Sequence, residues 1–364
     1  MPFIYIGLIV SNYICILKNK ECNRMLMVLC GLFFVFMFSG NSSSGDIPNY
    51  LALYQDSSNI MKTSPISGFF YGTMALANDA HLNFFQFKII VAVLTYSLYY
   101  RFLSKFQCNM HYFIIFYMFH LFFFDVEQIR NALAIAIFLQ GLVPLLENRK
   151  KWKLKYIVYT LMASLIHISF IIYLVFVLFD MTWNYKNRIL FSLMIVILCV
   201  LTFLNGNRIP FLNYILMNFD VLGKIDAYFG NKMHYGFLVP TFLHLTILMT
   251  VWYIRRKLLI AGRSNRQIDV AFRLLILSLS FMPLYFYSIT FGRLARNLLP
   301  IVLFAGATII SETRPKSILR LEITSILIGM VLCWCAYDIF MRPNDILVPL
   351  MKYNYFINGG IYNY

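Results

Sequence analysis

Charge is scarce in this chain of 364 residues: Asp, Glu, Lys and Arg together make up 13% of it, against about 25% in an ordinary soluble domain. Acidic charge is scarcer still, with 15 Asp and Glu against 31 Lys and Arg. No CxxC pair occurs, and the seven cysteines (Cys15, Cys22, Cys30, Cys108, Cys199, Cys333 and Cys335) lie in or beside apolar runs, so neither a disulfide framework nor a zinc site is expected. The chain has no Walker lysine loop, no dinucleotide fingerprint, no G-x-S-x-G elbow and no HExxH, and the nucleotide, serine-hydrolase and metallopeptidase chemistries those motifs carry are not expected. The six histidines (His81, His111, His120, His167, His234 and His244) show no paired spacing on one helix, so the reading includes no metal and no other cofactor. Met1 to Leu17 has no basic stretch before it and no small-residue cleavage site after it; it reads as a first membrane span rather than a signal peptide. There is no fixed-period repeat and no segment that reads as a soluble domain.

What is present in abundance is apolar surface. Hydrophobic residues make up 60% of the chain and aromatics 18%, and the mean hydropathy is +0.71. This is the composition of a multispanning membrane protein. The net charge of +16 does not point to nucleic acid, because the lysines and arginines fall in short clusters between apolar runs, where they act as topology signals, and no basic groove with interleaved aromatics occurs. Apolar runs at about 2–17, 25–39, 82–100, 110–124, 131–146, 156–180, 189–204, 237–254, 268–289, 298–311 and 319–340 predict an all-α, polytopic helical bundle. It has about 10–12 transmembrane segments in a single integral-membrane domain over residues 1–364.

Twenty of the 31 Lys and Arg sit in clusters on alternate loops, from Lys18, Lys20 and Arg24 to Arg314, Lys316 and Arg320. The positive-inside rule places those loops in the cytoplasm and both termini outside. One run breaks the alternation. Residues 156–180 have Arg149, Lys150, Lys151, Lys153 and Lys155 ahead of them and Lys186 and Arg188 behind them, so both ends ask to be cytoplasmic. A re-entrant hairpin with His167 near its tip satisfies this: each leg of about 12 residues reaches roughly 18 Å, short of the roughly 30 Å hydrocarbon core. The alternative is one long tilted span.

The main external loops are then about 40–81 and 205–236. Ile66 to Ala77 is too short to span and reads as an interfacial or re-entrant helix. The second loop sets Phe211, Tyr214, Phe219 and Tyr228 among Arg208, Asp220, Lys224 and Asp226, a mixture that suits sugar rings and the headgroup belt alike.

The stretch Asp125-Val-Glu-Gln-Ile-Arg130 places two acids and an arginine at the lip of an apolar helix. Intramembrane charge is costly and is read first as functional; the structural reading is an interfacial pair that anchors the helix. Glu127 and Arg130 share one helical face if the helix already begins at Asp125. Arg293 and Arg296 stand three apart at the start of a span, in an outside loop where the positive-inside rule disfavours arginine. Several arginines without a metal-like cluster fit a phosphorylated anion, whose oxygens match the guanidinium fork. Arg130, Arg293 and Arg296 are therefore expected to contact such a group.

Gly45-Asp46-Ile-Pro-Asn-Tyr50-Leu-Ala-Leu-Tyr54 resembles the D-x3-Y-x3-Y motif of the EpsG and Wzy-like polysaccharide polymerases. Ile129-Arg130-Asn-Ala-Leu-Ala134 is similar to their IR-x2-LA helix start, Ser164-Leu-Ile-His167-Ile-Ser169 to their FH-x-S turn, and Phe291-Gly-Arg293 to their late arginine. Val348-Pro349-Leu-Met-Lys-Tyr353 resembles their proline-bearing C-terminal segment. The chain departs from the family at Pro65-Ile-Ser-Gly-Phe69, where many members carry a glutamate, and at Asn131, where glutamine is common.

The resemblance implies a polymerase of the bacterial cytoplasmic membrane that joins undecaprenyl-diphosphate-linked oligosaccharide repeat units on the outer face, building an O-antigen, capsule or exopolysaccharide. Donor and acceptor are both lipid-linked. Membrane lipids and a chain-length regulator protein complete the expected partners. Asp46 is the expected base, with His167 orienting the acceptor and Arg130 acting on the donor. Arg293, Arg296, Tyr50, Tyr54, Asp125 and Glu127 are expected to bind substrate. The structural alternatives are a helix cap for Asp46 and a turn-holding hydrogen bond for His167. Two other functions share these features. A lipid-linked oligosaccharide flippase should show related halves with broken helices in corresponding positions, which the sequence does not; an O-antigen ligase-like transferase differs only in its acceptor.

Overall fold

The computed structural model describes residues 1–18, 23–43, 45–57, 68–106, 108–210, 235–340, 344 and 346–358. Helices follow one another as α1 (Pro2–Leu17), α2 (Arg24–Gly40), α3 (Ile47–Gln55), α4 (Gly68–Asp79), α5 (Phe84–Ser104), α6 (Met110–Phe119), α7 (Leu121–Glu127), α8 (Ile129–Leu146) and α9 (Trp152–Ile166). After a 3-10 segment, Ile168–Trp183, come α10 (Tyr185–Leu204), α11 (Leu238–Ile260) and α12 (Arg266–Ser278), the last continued by a 3-10 stretch, Leu279–Phe286. The chain ends with α13 (Arg293–Arg296), α14 (Leu299–Glu312), α15 (Ile318–Cys335), α16 (Leu347–Lys352) and α17 (Tyr355–Asn358). Among the described residues no strand forms, and one isolated bridge joins Asn41 to Asn354. Phe211, Tyr214, Phe219, Asp220, Lys224, Asp226 and Tyr228 of the expected external loop lie outside the described residues.

Among the described residues seven helices are long and apolar enough to cross a membrane, the bent pair α6 and α7 makes an eighth, and three shorter apolar helices, Pro2–Leu17, Arg24–Gly40 and Ile168–Thr182, accompany them. This is the polytopic helical membrane bundle that the apolar runs predict. Asparagine does much of the local punctuation. Asn23, Asn83, Asn109, Asn184 and Asn265 each accept a backbone N–H at the start of α2, α5, α6, α10 and α12. At α5 the bond is reciprocated by Gln86, a full capping box. Each cap satisfies one of the donors that a helix start leaves open.

Two differences from the sequence reading concern breaks. The run 110–124 is not one straight span: it bends by 65° between α6 and α7, at His120, the polar residue inside the run, whose ring packs 5.6 Å from that of Trp334. The stretch Asp125–Arg130 is not one helix either. Gln128 (φ −101, ψ 66) separates α7 from α8, so the shared helical face proposed for Glu127 and Arg130 does not exist. Elsewhere the expected breaks hold: the short helix expected over 66–77 runs Gly68–Asp79, and α9 ends at Ile166 with His167 as its C-cap.

The chain divides into two compact units, one of Met1–Ile171 with Leu303–Tyr364 and one of Ile172–Val302. In the first, α8 is the central helix, with 89% of its span buried, and it is apolar nearly all round, as an interior helix must be. Gly141 lets α9 approach closely, since a Cβ there would lie 2.9 Å from Cβ of Tyr159. Gln140 Nε2 donates 2.9 Å to the Leu98 carbonyl of α5. Small residues and a polar cross-link are the usual means of joining membrane helices, where apolar burial alone gives little preference. In the second unit, Arg255 of α11 and Arg273 of α12 both bind Asp269, at 2.9 and 3.0 Å. His244 of α11 pairs with Ser278 and Tyr285 at 2.8 and 2.9 Å.

Candidate active site

In the first unit four helix ends carry candidate residues: the start of α3, the end of α7, the start of α8 and the end of α9. Gly45 adopts φ +43, and a Cβ at this position would collide with the Glu127 carboxylate at the end of α7. Glycine is needed here for both reasons. The close approach sets Glu127, 8% exposed, one residue from Asp46. Asp46 occupies the N-cap position of α3, but its side chain makes no cap hydrogen bond. Its carboxylate is partly exposed. The capping role that the sequence left open for Asp46 is thus not the one this geometry shows.

The segment leading to Asp46 is held from below. Asn41, fully buried, donates from Nδ2 to the Val126 carbonyl of α7 at 3.2 Å, and its own carbonyl accepts from Lys88 Nζ of α5 at 2.6 Å. Lys88 is also fully buried, with its ammonium 5.4 and 5.5 Å from the rings of Phe84 and Phe85. A fully buried lysine that donates to a carbonyl, with no carboxylate partner among the described residues, is unusual. Motif spacing gives no hint of it. The only trace is one lysine inside the apolar run 82–100, which an inventory of acids and arginines passes over.

Arg130, in the first turn of α8, reaches across to the end of α9. Its Nε donates to the Ile166 carbonyl at 3.2 Å and its Nη1 to the Tyr71 hydroxyl of α4 at 2.9 Å. The guanidinium carbon lies 5.5 and 5.0 Å from the ring centres of Phe70 and Tyr71. The last carbonyls of a helix lack intrahelical donors and carry its negative end, so a guanidinium is well placed there. Among the described residues no carboxylate pairs with Arg130, and the group is only partly buried. It is a cation positioned by neutral partners and still open to an anion. His167 follows Ile166 directly. Its Nδ1 pairs with the Ser169 hydroxyl at 2.7 Å, which orients the ring at the break between α9 and the 3-10 segment.

Other candidates have different surroundings. Asp125 is 2% exposed and accepts from Tyr117 at 2.7 Å and Tyr99 at 3.3 Å, which turns it into an aromatic cluster of α5 and α6. Tyr54 donates to the Leu82 carbonyl at 2.7 Å and packs against Phe84 and Phe87; burial pushes its phenol up from the usual range, so it stays a donor. Tyr50 is buried on the same face of α3. In the second unit, Gly292 packs on Pro240 with no room for a Cβ, and Tyr173 donates to the Leu294 carbonyl at 2.7 Å. Together they fix α13. Arg296 on that turn is buried, and Arg293 is partly exposed with no side-chain partner among the described residues.

The motifs quoted from the sequence thus coincide with structural breaks: the start of α3, the start of α8, the end of α9, the turn α13 and the short helix α16. No curated protein and no solved structure shows significant similarity to the chain. The sequence profile described as the EpsG family matches residues 3–355, nearly the whole length. With its apolar helices and this match, the protein is an integral membrane protein with a role of the polysaccharide-polymerase type, and it belongs to the EpsG family.

Proposed function

We propose that the protein polymerises undecaprenyl-diphosphate-linked oligosaccharide repeat units by glycosyl transfer, on the outer face of the bacterial cytoplasmic membrane. The observation that carries this reading is Arg130: a guanidinium held by the Tyr71 hydroxyl and the Ile166 carbonyl, with no carboxylate partner among the described residues, beside a break that bears His167. A diphosphate leaving group develops negative charge as the glycosidic bond breaks, and a preorganised cation stabilises that charge where it forms. The acceptor sugar hydroxyl forms the new C–O bond with the donor's anomeric carbon. The old C–O bond breaks with its electron pair moving to the diphosphate oxygen, and the hydroxyl proton passes to a base.

Asp46 is assigned as that base, supported by its partly exposed carboxylate without a capping bond. Glu127, packed on Gly45, lies one residue away from Asp46 in this packing. His167 orients the acceptor. Lys88 and Asn41 are positioning residues, since they fix the segment that carries Asp46 and the end of α7.

The test is complementation of a deletion strain, with surface polysaccharide resolved on a gel. Loss of the protein should leave a single repeat unit capped on the core, and Arg130→Ala at equal protein level should do the same. Absence of even that single unit in the deletion strain identifies a flippase or ligase, and normal polymer from Arg130→Ala removes Arg130 from the mechanism.

A further inference from the structure

One cavity of the first unit has a composition unlike the site above. A groove of about 490 Å³ runs between α1, α6 and α15, within the size range of small-ligand pockets, roughly 300–1,000 Å³. Ile16, Phe116, Phe119, Leu321 and Ile328 make its walls apolar. At one end the lining changes to Lys316, Ser317 and Arg320. The guanidinium of Arg320 donates to the Tyr112 hydroxyl and lies 5.6 Å from the centre of that ring. Lys316 is exposed. Neither cation has a carboxylate partner among the described residues.

The backbone at this end is also arranged for an anion. Lys316 takes φ +63, a conformation that residues other than glycine adopt at a cost and that often marks a binding turn. Ser317 then caps α15 by accepting from the Arg320 N–H. The 18-residue helix α15 therefore starts at the cationic end of the groove, with the positive end of its dipole there. The positive-inside reading puts the cluster of Arg314, Lys316 and Arg320 at the cytoplasmic face, where anionic lipids concentrate and where basic pockets between membrane helices take their head groups.

We propose that this groove is a binding site for an anionic diacyl phospholipid of the cytoplasmic leaflet. The phosphodiester sits between Lys316, Arg320 and the start of α15, and the acyl chain follows the wall of α6 and α15. The site is separate from the one around Asp46 and Arg130 and does not depend on the reaction proposed for it.

The test uses the purified full chain in detergent, with dioleoyl phosphatidylglycerol and dioleoyl phosphatidylcholine competing, and bound lipid read by native mass spectrometry. The expected preference for phosphatidylglycerol is about 10- to 30-fold, the size that two cations give near an anionic lipid. Lys316→Gln should cut it roughly fivefold and Arg320→Gln by a similar factor. Tyr112→Phe, which removes the hydrogen bond and keeps the charge, should leave it in place. A Lys150→Gln, Lys151→Gln double variant loses two exposed charges elsewhere and should bind like the parent. If Arg320→Gln fails to give a monodisperse protein, Lys316→Gln alone decides, since its exposed side chain has no hydrogen bond or ion pair among the described residues. An unchanged preference in Lys316→Gln, or an equal loss in the Lys150 and Lys151 variant, overturns the proposal.

Discussion

Gly45→Ala separates the geometry of the site from its chemistry. At φ +43 an alanine incurs about 1–2 kcal/mol, offset by about 0.4–1 kcal/mol because the unfolded chain also loses freedom. The backbone share of the loss is therefore roughly 0.5–1 kcal/mol. The new Cβ must also displace the Glu127 carboxylate and its Cγ, and a side chain pushed off its rotamer costs about 0.5–1.5 kcal/mol. The single variant should lose roughly 1–2.5 kcal/mol, while Gly45→Ala with Glu127→Ala should recover the second part and retain only the first. Heating in detergent followed by size-exclusion chromatography reads the stability, and the polysaccharide gel reads activity. Gly45→Ala should be made at near-normal level and give shortened polymer, because Glu127 is moved away from Asp46. A double variant no more stable than Gly45→Ala would show that the collision with Glu127 is absent, and the placement of Glu127 beside Asp46 would fall with it.

Arg130→Lys should lower polymer output by about tenfold or more, because an ammonium cannot reproduce both the Tyr71 and Ile166 bonds and a fork towards phosphate; parental chain length in that strain would count against bidentate contact. Asp46→Asn keeps any capping acceptor and removes the base, so it should abolish polymerisation without reducing protein level, whereas near-normal polymer would move the base to Glu127. Lys88→Met keeps the volume but removes the Nζ donor to the Asn41 carbonyl, a loss of about 0.5–1.5 kcal/mol, and should give inserted but inactive protein; full activity would end its assignment as a positioning residue. Single cysteines at Lys150 and Lys186 should both be labelled from the cytoplasm, and opposite accessibility would eliminate the re-entrant hairpin at 156–180.

The fold class was legible because a bilayer restricts the chain to helices whose length and apolarity show directly in sequence. The runs at 2–17 and 131–146 match α1 and α8 to within two residues at either end, and the polar His167-Ile-Ser169 turn marked a break that exists. The orientation of side chains near breaks was not legible. Asp125 and Arg130 stand five apart, yet Gln128 resets the helical phase between them. Asp125 consequently faces Tyr117 and Tyr99 while Arg130 faces Tyr71. Periodicity carries no information across such a reset. The motif marks Tyr54 as a substrate-binding residue, and periodicity gave no sign that its hydroxyl satisfies the Leu82 carbonyl, a demand set by tertiary structure. Lys88 was visible throughout, and what was missing was a reason to weigh a lone lysine that belongs to no cluster.

The coincidence of motifs with breaks has a physical basis. A helix that stops in a buried place leaves carbonyls and N–H groups that cost several kcal/mol each if water cannot reach them and no partner is supplied. Here the partners are the charged and polar side chains of the candidate site. Arg130 satisfies Ile166 at the end of α9, Asn41 satisfies Val126 in α7, and Lys88 satisfies Asn41. Arg130 is thereby tied to a helix end by a neutral acceptor rather than by a carboxylate. That arrangement leaves its charge largely uncompensated, since a carbonyl dipole balances far less than a full opposite charge does. Pairing Arg130 with an acid would have anchored α9 equally well and would have consumed the charge that the proposed diphosphate contact requires. The use of backbone breaks as anchors allows one small set of side chains to hold the unit together and, on the proposed function, still present a guanidinium to an anionic substrate.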